Sequence, residues 1–338
     1  MRSNTFWKCM REYFSIYLPK QRNSSPDTIA AFRMAWNLLL RYLTHEVGKN
    51  VQKLEFMDFN AAMLSGFLDH MEAKKGWKAA TRNHRLSCIR AFFRYASALE
   101  PLAYTTYTGL LSIPLKKDVD RSRMVEHMSK EAMSALLGSV DPATRNGSRD
   151  QFFMTLMYDT AARNGEMLGI RLSDIDDEKA TVILVGKGRK PRIVPVSKET
   201  VEMFIHYKRT FHASNHKETF LFYTIRHGEK MPMSADNVAR FIRKYADIAR
   251  INCPEIPDNV HPHMFRHSRA MHLYQGGMPL SMISEFLGHA DPETTLIYAY
   301  ADTEMKRQAI ENASSTIGIG NTIPIWKDQD ILEKLLSY

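Results

Sequence analysis

The chain has 338 residues, 44% hydrophobic and 25% charged, which are the proportions of a folded globular protein and exceed what one hydrophobic core usually serves, so two domains are expected. A formal charge of +9 and a pI near 9.3 favour polyanionic partners such as nucleic acid. Charges interrupt the opening MRSNTFWKCMREYF, no long apolar run follows, and the three scattered cysteines offer neither a disulfide framework nor a paired CxxC site; neither a signal peptide nor a membrane span is expected, and a reducing cytoplasm is.

From about Tyr13 to Leu99 the pattern is helical. Pro26 and Asp27 open a segment in which Ile29, Phe32, Trp36, Leu39, Leu40 and Leu43 recur at helical spacing, and similar stretches cover Phe59 to Met71 and Thr81 to Ala98. A bundle of about four helices accounts for this region, and the chain starts almost directly in it, so no further DNA-binding domain is expected ahead of it. Within GWKAATRNHRLSCIRAFFRYA, Lys78, Arg82, Arg85, Arg90 and Arg94 surround an apolar stripe of Leu86, Ile89 and Phe93. A solvated basic face is the plain reading, and a helix docked on DNA is the functional one.

Between Glu100 and Arg123 the sequence turns to prolines, threonines and charges, the best candidate for a linker. We place a helical domain at 1–115, a linker at 116–125, a second domain at 126–312 and a tail at 313–338. In the second domain, ATVILVGKGRKPRIVPV gives two β-branched runs around a basic turn, a hairpin signal, and helices return from Lys198. In the tail, Ile331, Leu332, Leu335 and Leu336 form an apolar stripe behind an extensible Gly318, Gly320 and Pro324 connector.

Four further segments carry the chemistry: DTAARNGEMLGIRLSDI, VGKGRKPRIVPV, HPHMFRHSRAMHLYQGG and LGHADPETTLIYAY. Taken singly, Arg163 is a helix-end arginine paired with Glu166, Lys187 a solvated turn lysine, and Tyr298 a half-buried core tyrosine. Together their order and spacing resemble the tyrosine site-specific recombinases of the phage-integrase type. That resemblance implies a mainly α protein: an N-terminal helical DNA-clamping bundle, then an α+β catalytic domain with a small antiparallel sheet, closing on DNA as a C shape. It assigns Arg163 as the first arginine with Glu166 in support, Lys187 as the hairpin lysine, His263 and Arg266 as the His-x-x-Arg pair, His289 as the second histidine, and Tyr298, nine residues on, as the nucleophile. Phe265, where leucine is commoner, and Asn164, where an apolar residue is usual, depart from the family's pattern without removing a reactive group.

These residue types suit phosphoryl transfer. Two guanidinium forks can hold the non-bridging oxygens of a phosphodiester under attack, and the same cations favour the phenolate of a tyrosine among them. Lys187 is the expected general acid for the departing 5′ oxygen; His263 could exchange protons with tyrosine or phosphate, and His289 could donate to a phosphate oxygen. The resemblance implies cleavage and rejoining through a 3′-phosphotyrosyl link with no metal and no ATP. It also implies double-stranded DNA with inverted-repeat sites as partner, a homotetramer on two sites with the tail passed between subunits, and a nucleoid-associated, cytoplasmic location. Integration, excision, transposition and resolution are all open to such an enzyme. The alternatives are a type IB-like topoisomerase, a catalytically silent DNA-binding protein of the same fold, a zinc site on His261, His263, His267 and His289, for which no carboxylate or thiolate partner is in place, and a metal-dependent transposase, for which no carboxylate triad stands out.

Overall fold

The computed structural model describes residues 5–117, 126–186, 190–212, 219–289, 291–301 and 307. The chain divides into two compact units, Met1–Ser122 and Arg123–Tyr338.

The first unit is helical. Helix α1 (Thr5–Glu12) runs into a π-helical stretch (Tyr13–Gln21), then α2 (Pro26–His45), α3 (Ala61–Lys75), α4 (Ala79–Ala96) and α5 (Pro101–Leu111) follow. The starts follow from local chemistry: Pro26 is pre-set for the first turn of α2, while the Ser25 hydroxyl accepts from the Thr28 amide, as Asn60 does from Met63 at α3. Phe6, Trp36, Phe59, Phe92 and Phe93 pack at the centre of the core. Part of the linker-like stretch is helical here: Pro101 opens α5, Ala103 and Leu110 enter this core, and the buried Thr106 donates to the Phe56 carbonyl at 3.0 Å.

In the second unit α6 (Lys130–Gly138), α7 (Arg145–Thr160) and α8 (Asn164–Gly169) lead to a three-stranded antiparallel sheet, β1 (Ile175–Asp176), β2 (Thr181–Val185) and β3 (Pro191–Pro195). The expected hairpin is there, with Val182 opposite Val194 and both buried. After α9 (Lys198–Phe211) comes a second hairpin that the sequence reading did not anticipate, β4 (Tyr223–Arg226) with β5 (Glu229–Pro232). Its turn places His227 (φ 50°) and Gly228 (φ 82°) both in the left-handed region, as a two-residue turn of the hairpin hand requires. The chain then runs through α10 (Ala235–Arg250), α11 (Pro262–Gln275), α12 (Leu280–Leu287) and α13 (Leu296–Ala301). A large core joins α6, α7, the β2–β3 face, α9 and α10, and a smaller one gathers Ala161, Ala270, Met271, Ile283, Leu287 and Tyr298.

Candidate active site

The site is assembled around that smaller core. In α11, residues at i, i+3 and i+4 share one face, so His263, Arg266 and His267 point the same way. Arg266 is 3% exposed; its Nη1 donates to the Ala161 carbonyl at 2.8 Å and its Nη2 to the Leu287 carbonyl at 2.7 Å. Those bonds use two of the five N–H donors of a guanidinium. Burial first, then the neighbouring Arg163, bring its pKa down to about 10, and it remains a cation at neutral pH. Ala161 makes this possible by taking a left-handed conformation (φ 48°), unusual for alanine, at the end of α7.

Arg163 stands at the start of α8 and gives Nη1 to Glu166 Oε1 at 2.9 Å, while the other carboxylate oxygen accepts from the Arg163 amide. Glu166 is buried and also accepts two bonds from Arg192 of β3, at 2.9 and 2.8 Å. Burial alone would raise the carboxyl; the hydrogen bonds and charge of Arg192, joined by Arg163, overcome it and hold the pKa near 2. Two guanidinium groups thus bond to one carboxylate while a third, Arg266, lies near enough to feel its charge, and the surplus positive charge suits an anion.

Between α12 and α13 the Leu-Gly-His sequence has a geometric reason. Gly288 ends α12 with φ 63°, and a side chain there would come within 3.1 Å of the Arg192 Cδ. His289 follows, its Nδ1 2.8 Å from the hydroxyl of the buried Thr295; burial and the cations Arg266 and Arg163 bring its pKa down to about 4.

Tyr298, on α13, is 1% exposed and belongs to the cluster of Ala161, Ala270, Met271, Ile283 and Leu287. Its hydroxyl is 3.0 Å from His267 Nδ1. Burial raises the phenol pKa to about 12, against the pull of Arg266 and then Arg163. At pH 7 such a phenol is ionised about once in 10^5.

The structure therefore brings Arg163, Glu166, Arg266, His289 and Tyr298 together, with His263 exposed at the rim, its pKa lowered by partial desolvation and then by Arg266. Lys187 lies outside the described residues; Gly186 before it abuts Glu166, a Cβ there falling 3.3 Å from Oε1. Two residues were missed: Arg192, whose signal was a long cation two positions before the buried Val194 in a strand, and His267, considered only as a metal ligand.

The basic positions of α4 divide. Arg82 is buried, donating to the Pro114 carbonyl at 3.2 Å, and Arg85 donates to the Ala31 carbonyl at 3.1 Å. Arg90 donates through Nε and Nη2 to the Leu110 carbonyl and through Nη2 to that of Ile113. Arg90 thus adds donor partners for carbonyls at the end of α5 and just beyond it, where helical bonding runs out. These three guanidinium groups hold α4 against the chain around it, whereas Lys78 and Arg94 are exposed.

Comparison with known proteins identifies the family. The phage integrase family matches residues 126–305, over half of the chain, and the phage integrase N-terminal SAM-like domain matches residues 12–99. A putative integrase/recombinase, y4rC, of Sinorhizobium fredii is 30% identical over 311 residues, covering 91% of this chain and 92% of that protein. Tyrosine recombinase XerD of Yersinia pestis is 29% identical over 302 residues, covering 88% and 94%. Among solved structures, the XerH site-specific recombinase bound to difH substrate in a pre-cleavage complex superposes with a TM-score of 0.64 at 20% identity, covering 91% of this chain and 88% of that one. The chain belongs to the phage integrase family of tyrosine recombinases. These likenesses favour neither a topoisomerase nor a silent DNA-binding protein. Among the described residues no helix is long and apolar enough to cross a membrane.

Proposed function

We propose that this tyrosine recombinase cleaves and rejoins duplex DNA through a 3′-phosphotyrosyl bond made by Tyr298. The observation that carries the reading is a buried phenol, hydrogen-bonded to a histidine, under the influence of two guanidinium groups, Arg266 and Arg163. The scissile phosphate binds between those cations, its non-bridging oxygens held by Arg163 and Arg266 and by His289, while Arg192 fixes Glu166 so that Arg163 keeps its orientation. Tyr298 Oη attacks phosphorus, the P–O5′ bond breaks, and Lys187 protonates the departing oxygen. Attack by another 5′ hydroxyl reverses the step, because the phosphotyrosine retains the energy of the broken bond; neither metal nor ATP takes part.

The finer organisation is proposed on the same basis. Residues 1–115 and 126–312 act as DNA-clamping and catalytic domains joined by 116–125, with Lys78 and Arg94 as the backbone contacts of α4. Inverted-repeat sites seat four copies in a homotetramer, and residues 313–338, which lie outside the described residues, exchange between neighbours. The enzyme works at the nucleoid. The relatives solved on DNA, among them the Tn1549 transposon integrase in complex with transposon right end DNA (TM-score 0.65, 15% identity), support duplex DNA as the substrate class. The test is covalent trapping on a duplex selected from a random library by binding to the protein and nicked near the cleavage point. Wild type should accumulate a protein–DNA adduct; Tyr298→Phe should bind within a few fold and form none. An adduct with Tyr298→Phe would overturn the assignment.

A further inference from the structure

We propose that His267, rather than His263, takes the phenol proton of Tyr298 as it attacks, and so is a further catalytic residue; this rests on Tyr298 being the nucleophile. Of the histidines around the site, His267 is the one placed on the phenol, with Nδ1 3.0 Å from Oη. His289 turns its Nδ1 to Thr295, and the Nδ1 of His261 meets the Asn259 carbonyl at 3.0 Å. His263 sits one turn earlier on α11, exposed, its ring 6.4 Å from that of His267.

The contact is held from both sides. Tyr298 is buried in one cluster with Ala270, Met271, Ile283 and Leu287, and His267 shares a helix with Ala270 and Met271, so core packing holds both ends of the Nδ1 to Oη contact. Burial, and then His263, Arg266, His261 and His127, keep the His267 imidazole neutral, with its pKa down at about 4. A neutral ring carrying its proton on Nε2 offers Nδ1 as an acceptor to the phenol. A phosphodiester bound among the arginines brings negative charge to the site and raises the basicity of that nitrogen.

The step balances. A lone pair of Oη forms the bond to phosphorus, the P–O5′ pair leaves with the 5′ oxygen and is protonated by Lys187, and the phenol proton passes to His267 Nδ1. Rejoining returns it.

Two substrates built on the selected duplex test this. The first is the intact strand, whose cleavage requires Tyr298. The second carries a 3′-p-nitrophenyl phosphate at the cleavage point, to be joined to a 5′ hydroxyl; its leaving group is already a weak base and needs neither Tyr298 nor a proton. His267→Ala should slow single-turnover cleavage about 100-fold while joining the second substrate within a few fold of wild type, which also shows that the variant is folded. His267→Gln, which can accept a hydrogen bond but not a proton, should be as slow as His267→Ala in cleavage. Wild-type cleavage by either variant, rescue by glutamine, or equal loss on both substrates overturns the proposal. Tyr298→Phe separates it from the reading beneath: that variant should fail on the first substrate and join the second, and if it cleaves, the nucleophile assignment fails rather than the role of His267.

Discussion

The arginines of α4 and those around Tyr298 are both turned inward, yet they meet different neighbours. In the first unit Arg82, Arg85 and Arg90 reach carbonyl oxygens, the ordinary way to satisfy a helix end or a chain reversal, and Arg82 also lies 3.7 Å from the Glu72 carboxylate. In the second, Arg163, Arg192 and Arg266 surround one carboxylate, two imidazoles and a phenol, and each of those groups is displaced far from its ordinary pKa. A buried arginine is therefore weak grounds for function by itself. What separates the regions is the imidazoles and the phenol gathered with the cations.

If that distinction holds, substitutions in the two regions fail in different ways. The largest effect should come from Arg163→Ala, a partly exposed residue whose loss removes a charge contact to the phosphate: cleavage of selected duplex should fall about 10^2- to 10^3-fold with only a small drop in melting temperature, because Arg192 keeps its two bonds to Glu166. A parallel fall in thermal stability would assign it to the structural class instead. Lys187→Ala should slow cleavage of ordinary DNA on a comparable scale, yet recover most of the rate when sulfur replaces the leaving 5′ oxygen, because a thiolate departs without a proton. Equal impairment on both substrates would remove Lys187 as general acid.

Glu166 links the site to stability. Its folded pKa near 2 lies below the ordinary glutamate value of about 4.3, so its contribution, about 3 kcal/mol, is complete above the unfolded pKa. It is lost as pH falls from about 4.5 towards 2. Urea melts of wild type and Glu166→Gln should differ at pH 6 and converge as the pH approaches 2; a constant difference would contradict the ion-pair account. Smaller still, Arg90→Ala should cost about 2 kcal/mol in thermal or urea melts while leaving the cleavage rate at saturating DNA intact. Arg94→Ala should do the opposite, keeping stability and reducing the salt dependence of binding by about one counterion.

Much of the site could be read from spacing. His263, Arg266 and His267 share a face because a helix repeats every 3.6 residues, and Gly288 is required by a left-handed cap beside Arg192. The Arg192 pair with Glu166 could not be read, since it joins positions 26 apart through a hairpin and a helix start. Nor could the inward turn of Arg82 and Arg90, whose acceptors come from α5 and the residues just after it, in a segment that reads as linker-like. The β4–β5 hairpin was missed because FYTIRHGEKMP lacks clear alternation and puts His-Gly where Asn-Gly is the familiar turn signal. That His267 engages Tyr298 is a matter of tertiary packing between α11 and α13.

The central claim is that the covalent bond forms on Tyr298, and Tyr300 is its nearest rival in the same helix. Wild-type protein trapped on nicked selected duplex, digested with nuclease and protease and sequenced by tandem mass spectrometry, should carry its residual nucleotide on Tyr298. A nucleotide on Tyr300, or on any other residue, would contradict the account.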